Sequence, residues 1–298
     1  MLDLSIIIVS YNTKGLLREN LVSIKDNVSK EIKYRVVVVD NASSDGSAKM
    51  VEDEFKDVII VANKENLGFS KANNIGIKKV GKSRYVLFLN SDTILGNGVL
   101  DHMINFMDKT PDAGASTCKI IMGNGQIDDA SHRGFPTPWN AFTHFSGISK
   151  LAPRSGFLNG YYLGWKDLDK THEIDALAGA FMLVRWEAGE DANWWDEDYF
   201  FYGEDIDFCY MLKQKGWKVY YVPDVSIFHR KGASSGIKKI SANVTTANRE
   251  TKIKITKSRF NAMKIFYRKH YKNKYPWIIT SLVNLGIDLK LMFALRQI

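Results

Sequence analysis

Residues 4–10 read LSIIIVS, residues 34–40 YRVVVVD and residues 84–90 RYVLFLN. Each holds a continuous apolar run rich in β-branched or aromatic side chains. Such a run has no solvent face, so it predicts a strand buried on both sides. Residues 58–62 (VIIVA) predict a further strand, and residues 113–122 are strand-like. Between these runs the period changes. Leu16, Leu17, Leu21 and Ile24 fall on one helical side after Thr13, a candidate N-cap. Residues 48–55, 69–79 and 97–109 also read as helices, and residues 41–47 carry turn chemistry. Strand alternates with helix through about residue 110. This order predicts an α/β fold, a mostly parallel sheet flanked by helices.

The pattern then loosens. Residues 126–165 scatter Gly, Pro and aromatic residues with no period, the mark of a long functional loop. Residues 174–184 predict a strand, with Gly179-Ala180 as a bulge or a point of close approach. Residues 204–214 predict a helix stopped by Gly216. Two strands, 217–222 and 225–229, flank a Pro223-Asp224 turn. From about residue 244 the chain reads as helix to its end, broken at Pro276.

The strands end alike. Ser10-Tyr11-Asn12, Asp40-Asn41-Ala42-Ser43, residues 63–66 and Asn90-Ser91-Asp92 are all polar. Open parallel sheets bind ligands at these carboxyl ends. No G-x-G-x-x-G occurs. The G-x-x-x-x-G-K-[ST] string at residues 76–83 runs from an expected helix into an expected strand, the reverse of P-loop order, and the G-x-S-x-G string at residues 232–236 has no expected helix directly after its serine. Dinucleotide, P-loop and serine-hydrolase readings therefore lose their warrant. A nucleotide pocket without a glycine cradle needs another means of meeting phosphate charge, and a divalent cation bound by carboxylates is the usual one. Asp92 is the first candidate ligand, against the alternative of an ordinary Asn/Ser/Asp turn. Glu204-Asp205 opens a helix after Tyr199-Phe200-Phe201-Tyr202, where the helix N-terminus favours ionised carboxylates; first-turn acids are also common without function. His229 ends a strand and precedes Arg230-Lys231-Gly232, which suggests an anion or metal site rather than a packed histidine.

Composition changes this picture at one place. The chain has 298 residues, 45% hydrophobic, and only two cysteines, so it is globular and has no disulfide framework. The N-terminus has no basic region and too short an apolar run for a signal peptide, so the catalytic body is expected in the cytoplasm. The net charge is +8, but residues 231–298 hold 15 Lys and Arg against Glu250 and Asp288. That tail carries +13 and the rest −5. A basic tail on an acidic body points to an anionic surface, either nucleic acid or lipid, or to a merely solvated helix. Residues 259–277 interleave Lys and Arg with Phe260, Phe266, Tyr267, Tyr271, Tyr275 and Trp277. Residues 276–298 are apolar but interrupted by Asn284, Asp288 and Lys290, which suits an in-plane amphipathic anchor better than a span. The alternative is helices packed on the catalytic body or in a homodimer interface.

SIIIVSYN (5–12), VVVVDNASSDGS (36–47), NLGFSKANNIGI (66–77), YVLFLNSDT (85–93), AGAFMLVRW (178–186) and residues 196–235 together resemble the family 2 inverting glycosyltransferases of GT-A fold, in the family's order. The flavour is similar to the bacterial rhamnosyltransferases. The resemblance implies a GT-A catalytic domain over 1–235, with a nucleotide-binding half (1–110) and an acceptor half (111–235), followed by a basic helical region over 236–298. It implies Mg2+ or Mn2+ held by Asp92 and His229, with Asn90 where many relatives carry Asp. Asp205 would be the general base and Glu204 would orient it or bind the acceptor. Ser10, Tyr11, Asn12, Asp40, Asn66, Gly68, Asn73, Asn90, Ser91, Gly179, Ala180 and Arg230 would face the nucleotide sugar. The donor implied is dTDP-L-rhamnose, with UDP-hexoses or UDP-N-acetylhexosamines as the alternative. The acceptor implied is a glycan or lipid-linked glycan at the inner face of the cytoplasmic membrane, which favours lipid over nucleic acid as the partner of the tail. A catalytically inactive sugar-binding protein would lack one of Asp92, Asp205 and His229; all three are present.

Overall fold

A computed structural model describes residues 2–230 and 249–298. The elements up to residue 122 are β1 (Leu2–Ser10), α1 (Lys14–Asn27), β2 (Tyr34–Asp40), α2 (Ser47–Glu54), β3 (Val58–Ala62), α3 (Phe69–Val80), β4 (Ser83–Asn90), β5 (Thr93–Leu95), α4 (Val99–Lys109) and β6 (Ala113–Met122). The apolar runs account for this part of the molecule. In β1, Ile6 and Ile8 join a core on one face of the sheet, with Leu17, Leu21 and Met103. Ile7 points the other way, into a core with Ala72, Phe208 and Trp195. β4 divides likewise, Leu87 and Leu89 to the first face and Val86 and Phe88 to the second. Fully burying each such side chain contributes about 1.5–3 kcal/mol. A polar residue on either face would lose that gain and add a desolvation cost, which is why the runs are unbroken.

The described sheet runs β3-β2-β1-β4-β8-β6-β9-β5, with β7 (His172–Ile174) also paired to β9 (Lys218–His229). The pairs β3-β2, β2-β1 and β1-β4 are parallel. β8 (Phe181–Arg185) is antiparallel to both β4 and β6, so the second half of the sheet is mixed. Register puts Ser10 beside Asp40 and Val9 beside Asn90, so the polar strand ends converge on one edge.

The chain departs from its pattern at several points. The stretch 174–184 is not one strand: β7 ends at Ile174, and the chain crosses the cavity edge through Gly179 and Ala180 before β8 begins. The two strands expected around Pro223 are one, β9. Its pairing with β6 jumps from Cys118↔Val222 to Lys119↔Ser226, leaving Pro223, whose nitrogen cannot donate, in a bulge. Residues 126–165 contain a helix, α5 (Pro138–Ser146), with Thr137 accepting from the Asn140 amide as N-cap and Pro138 in the first turn. Thr13 precedes α1 but does not cap it, because its hydroxyl lies between Ser10 Oγ and Ser91 Oγ, 3.0 Å from each.

The remaining helices are α6 (Trp186–Asp191), α7 (Glu204–Gln214), α8 (Arg249–His270) and α9 (Trp277–Arg296). The expected boundary between residues 235 and 236, and the expected helix start near 244, lie outside the described residues. α8 packs on the catalytic body. Phe266 and Tyr271 meet Tyr210 of α7, and His270 Nε2 sits 2.6 Å from Asp207 Oδ1. α9 packs on α8, where Lys264 Nζ reaches Asp288 Oδ1 at 2.5 Å, yet none of its own residues is buried. By length and composition α9 could cross a membrane.

Candidate active site

The carboxyl edge of the sheet opens into a cavity of about 1280 Å³. The strand ends that form one wall are stitched by side chains rather than by glycines. Asn41 Nδ2 donates to Gly68 O at 3.0 Å, and Asn41 Oδ1 accepts from Asn63 Nδ2 at 2.9 Å. Asn66 Oδ1 accepts from the Gly68 amide at 3.0 Å. Gly68 has φ 84 and ψ 177, a backbone open in practice only to glycine. A Cβ there would lie 2.5 Å from the Phe200 carbonyl oxygen, to which the Phe69 amide donates at 2.8 Å. This close approach joins the start of α3 to the loop that delivers Glu204.

Asp92 stands two residues beyond β4, and His229 is the last residue of β9. β5 is the strand missed by the sequence reading, and it explains their meeting. Thr93 pairs with His229, the Arg230 amide donates to Asp92 O at 2.9 Å, and His229 Nε2 comes within 3.1 Å of Asp92 Oδ1. Both side chains are buried, and Asp128 Oδ2 lies 3.7 Å from His229 Nδ1. Burial by itself would lower the His229 pKa, but the Asp92 and Asp128 carboxylates outweigh it and raise it to about 9.

Glu204 and Asp205 open α7, directly after Tyr202 (φ 72) and Gly203 (φ 84), two successive left-handed residues. The tight turn points both carboxylates at the cavity. Asp205 Oδ1 accepts from the Ile206 amide at 2.8 Å, while Oδ2 takes a 2.6 Å bond from Arg133 Nη2. The same Nη2 also donates to Leu177 O at 3.0 Å. Burial opposes the Arg133 charge, but Asp205 more than compensates, so the guanidinium stays ionised. Glu204 is only 8% exposed and its Oε2 has no hydrogen-bond partner among the described residues. Burial, then the adjacent Asp205 charge, pushes its pKa up to about 8. Burial thus holds Glu204 toward its protonated form, beside an Asp205 that is paired with Arg133.

Of the expected site residues, Tyr11, Asn66, Gly68, Asn90, Ser91, Asp92, Gly179, Ala180, Glu204, Asp205 and His229 line the cavity. Five expected sugar-nucleotide contacts do not. Ser10 is fully buried and bonded to Thr13. Asn12 joins two loops, its Oδ1 accepting from the Ser44 amide at 2.8 Å. Asp40 is buried and accepts from the Ser43 amide at 2.9 Å. Asn73 donates back to Phe69 O at 3.0 Å. Arg230 is exposed and paired with Glu19 at 2.8 Å. Reading the sequence missed Asn41, Asp128 and Arg133. Asn41 was in view as a strand end; Arg133 lies in a stretch without period, so no local signal marked it.

Known proteins bear on this geometry. The family model "Glycosyl transferase family 2" matches residues 5–173. This chain belongs to glycosyl transferase family 2. The glycosyltransferase is 26% identical to the N-acetylglucosaminyl-diphospho-decaprenol L-rhamnosyltransferase of Mycobacterium tuberculosis, over 78% of each chain. It is 28% identical to the rhamnosyltransferase WbbL of Escherichia coli K12, over 65% of this chain and 82% of that one. Its fold resembles that of a Pyrobaculum calidifontis mannosyltransferase in complex with GDP-Man and Mn2+ (TM-score 0.58, 17% identity, 98% of this chain and 72% of that one). It also resembles GalNAc-T7 with UDP, GalNAc and Mn2+ (TM-score 0.59, 16% identity), covering 86% of this chain but only 48% of that enzyme. These neighbours share the GT-A architecture, so the expected fold and enzyme class stand.

Proposed function

We propose that this glycosyltransferase moves L-rhamnose from dTDP-L-rhamnose to a hydroxyl of a lipid-linked glycan, with inversion, at the inner face of the cytoplasmic membrane. The observation that carries the reading is the placement of two functional groups on one cavity: Asp92 with His229, and Asp205 with Glu204. The rhamnosyl donor rests on the rhamnosyltransferase relatives, of which one covers 78% of both chains.

Asp92 and His229 would hold a divalent cation. Among the described residues no cluster of three or more metal-binding side chains exists, so the protein would offer two ligands and the donor's diphosphate others. That fits Mg2+ or Mn2+, which take carboxylate and phosphate oxygens; the imidazole suits Mn2+ better. When bound, such an ion neutralises charge on the departing diphosphate. Asn90 leaves the edge with one fewer carboxylate than an Asp-x-Asp pair and lines the cavity beside Ser91.

Asp205 takes the proton of the acceptor hydroxyl. As it does, that oxygen forms its bond to the anomeric carbon and the bond to the diphosphate oxygen breaks. One displacement inverts the centre. Arg133 pairs with Asp205 and fixes one carboxylate oxygen, leaving the other lone pairs to meet the hydroxyl. Glu204, protonated at neutral pH, is a hydrogen-bond donor facing the same space.

The test is a donor panel with and without EDTA: dTDP-L-rhamnose, UDP-glucose and UDP-N-acetylglucosamine, read by release of the nucleoside diphosphate. Highest kcat/KM with dTDP-L-rhamnose, lost in EDTA and restored by Mn2+ or Mg2+, is expected. Preference for a UDP sugar overturns the donor assignment; full activity in EDTA overturns the metal.

A further inference from the structure

The cavity does not end at the catalytic carboxylates. It continues to a second wall built by α5, α8 and α9, and this wall differs in chemistry from the donor side. Trp139, Phe142 and Phe145 of α5 and Ile279, Leu282 and Val283 of α9 all line it. Phe142 is 55% exposed and Leu282 59% exposed, so the apolar surface of the cavity runs out onto the surface of the protein. Aliphatic side chains at the edge of a sugar site offer no hydrogen bonds to a glycan.

Three cations stand among them. Lys254 and Arg259 come from α8 and Lys290 from α9, all lining the cavity. None makes an ion pair among the described residues. Lys254 instead lies over the Phe200 ring at 5.0 Å and Lys290 over the Phe145 ring at 4.4 Å. Their charges converge. After burial, Lys290 and Arg259 are the largest causes that lower the His144 pKa, and His144 lines the same wall. The wall also carries Asp129 and Glu250, so it is cationic without being uniformly so. These cations lie on elements that contribute nothing to the Asp92–His229 pair, so a second anion is indicated, distinct from the donor's diphosphate.

Resting on the acceptor role given to this cavity above, we propose that the α5–α8–α9 wall binds an acceptor sugar carried on a lipid diphosphate. Lys254, Arg259 and Lys290 hold the diphosphate. The aromatic and aliphatic side chains of α5 and α9 take the adjoining hydrocarbon. The attached sugar then reaches toward Asp205. The exposed face of α9 continues the same apolar path to the membrane in which the rest of the lipid lies, and the positive charge of the tail suits its anionic surface. Charge complementarity and continuity with the reacting carboxylate choose this occupant over a free glycan, which needs neither feature.

A binding assay without donor separates this proposal from the choice of sugar. Farnesyl diphosphate, farnesol and inorganic pyrophosphate are titrated into the full-length protein in detergent, with intrinsic tryptophan fluorescence as readout. Farnesyl diphosphate is expected to bind at least about tenfold tighter than either fragment, since two separate contacts are lost in turn. Arg259→Ala with Lys290→Ala, and separately Phe142→Glu, should each weaken it about tenfold or more. Under turnover with the preferred donor, the same variants should raise KM for a farnesyl-diphosphate-linked N-acetylglucosamine far more than they raise donor KM. Equal binding of pyrophosphate and farnesyl diphosphate would overturn the hydrocarbon contact. Farnesol as tight as farnesyl diphosphate would overturn the cation contact. Lipid-vesicle binding with no preference for farnesyl diphosphate would make the wall a membrane face instead, and would also overturn the proposal.

Discussion

Asp205 is the proposed general base and also the partner of Arg133, and replacing it separates the two roles. Asp205→Asn removes the proposed base, and loss of a positioned general base lowers transfer about 10²–10⁴-fold. It also removes the countercharge of Arg133. The two side chains are 10% and 15% exposed, so the pair is largely desolvated. Breaking such a pair costs about 3–5 kcal/mol, because the surviving charge stays buried. The amide oxygen of Asn and the Leu177 carbonyl still accept from Arg133, which sets the expected cost near the low end, about 3 kcal/mol. For a chain of this size that is a fall in Tm of about 6 °C. Adding Arg133→Met removes the orphaned charge, and the double variant should regain most of the lost stability while remaining inactive. The assays are urea and thermal unfolding, single-turnover transfer, and calorimetric titration with the nucleotide donor, whose affinity should change little in Asp205→Asn. Near-normal turnover in Asp205→Asn would remove Asp205 as the base. A double variant no more stable than Asp205→Asn would refute the account of Arg133 as a buried charge held by one partner.

Three further outcomes follow. The raised pKa of Glu204 means that the folded protein holds a proton which the unfolded chain releases near its ordinary value. The stabilisation from that protonated group is therefore fully present below about pH 4.5 and is lost as pH rises toward about 8. Glu204→Gln should accordingly raise the urea midpoint more at pH 8 than at pH 5, and an equal gain at both would contradict this. Gly68→Ala must place a methyl 2.5 Å from the Phe200 carbonyl and adopt a backbone that costs about 1–3 kcal/mol, so it should shift the loop before Glu204 and reduce kcat while the protein stays folded; unchanged kcat would show that the loop moves freely. His229→Ala should abolish the Mn2+-dependent rise in transfer while leaving the far-ultraviolet circular dichroism intact, and an unaltered metal requirement would exclude His229 as a ligand.

The sheet was legible because its strands are buried on both faces, and burial on both faces leaves no position for a polar residue. Unbroken runs such as VLFL before Asn90-Ser91-Asp92 therefore announce both the strand and its end. Local rules failed where the partner sets the structure. β5 is three residues long and exists because β9 lies beside it. β7 and β8 look like one strand in sequence but join different neighbours. α5 was hidden because its apolar side chains face a cavity and solvent rather than a core, so they follow no burial period.

The same division holds in the site. The residue types Asp92, Glu204-Asp205 and His229, and their places at element ends, come from the one-dimensional pattern, since helix and strand termini are where free side chains meet a ligand. That Asp92 faces His229 across 137 positions, and that Asp205 is held by Arg133 across 72, are consequences of strand order and loop return. No periodicity encodes them, because such contacts are chosen only when the β5–β9 ladder and the 133–176 bridge close.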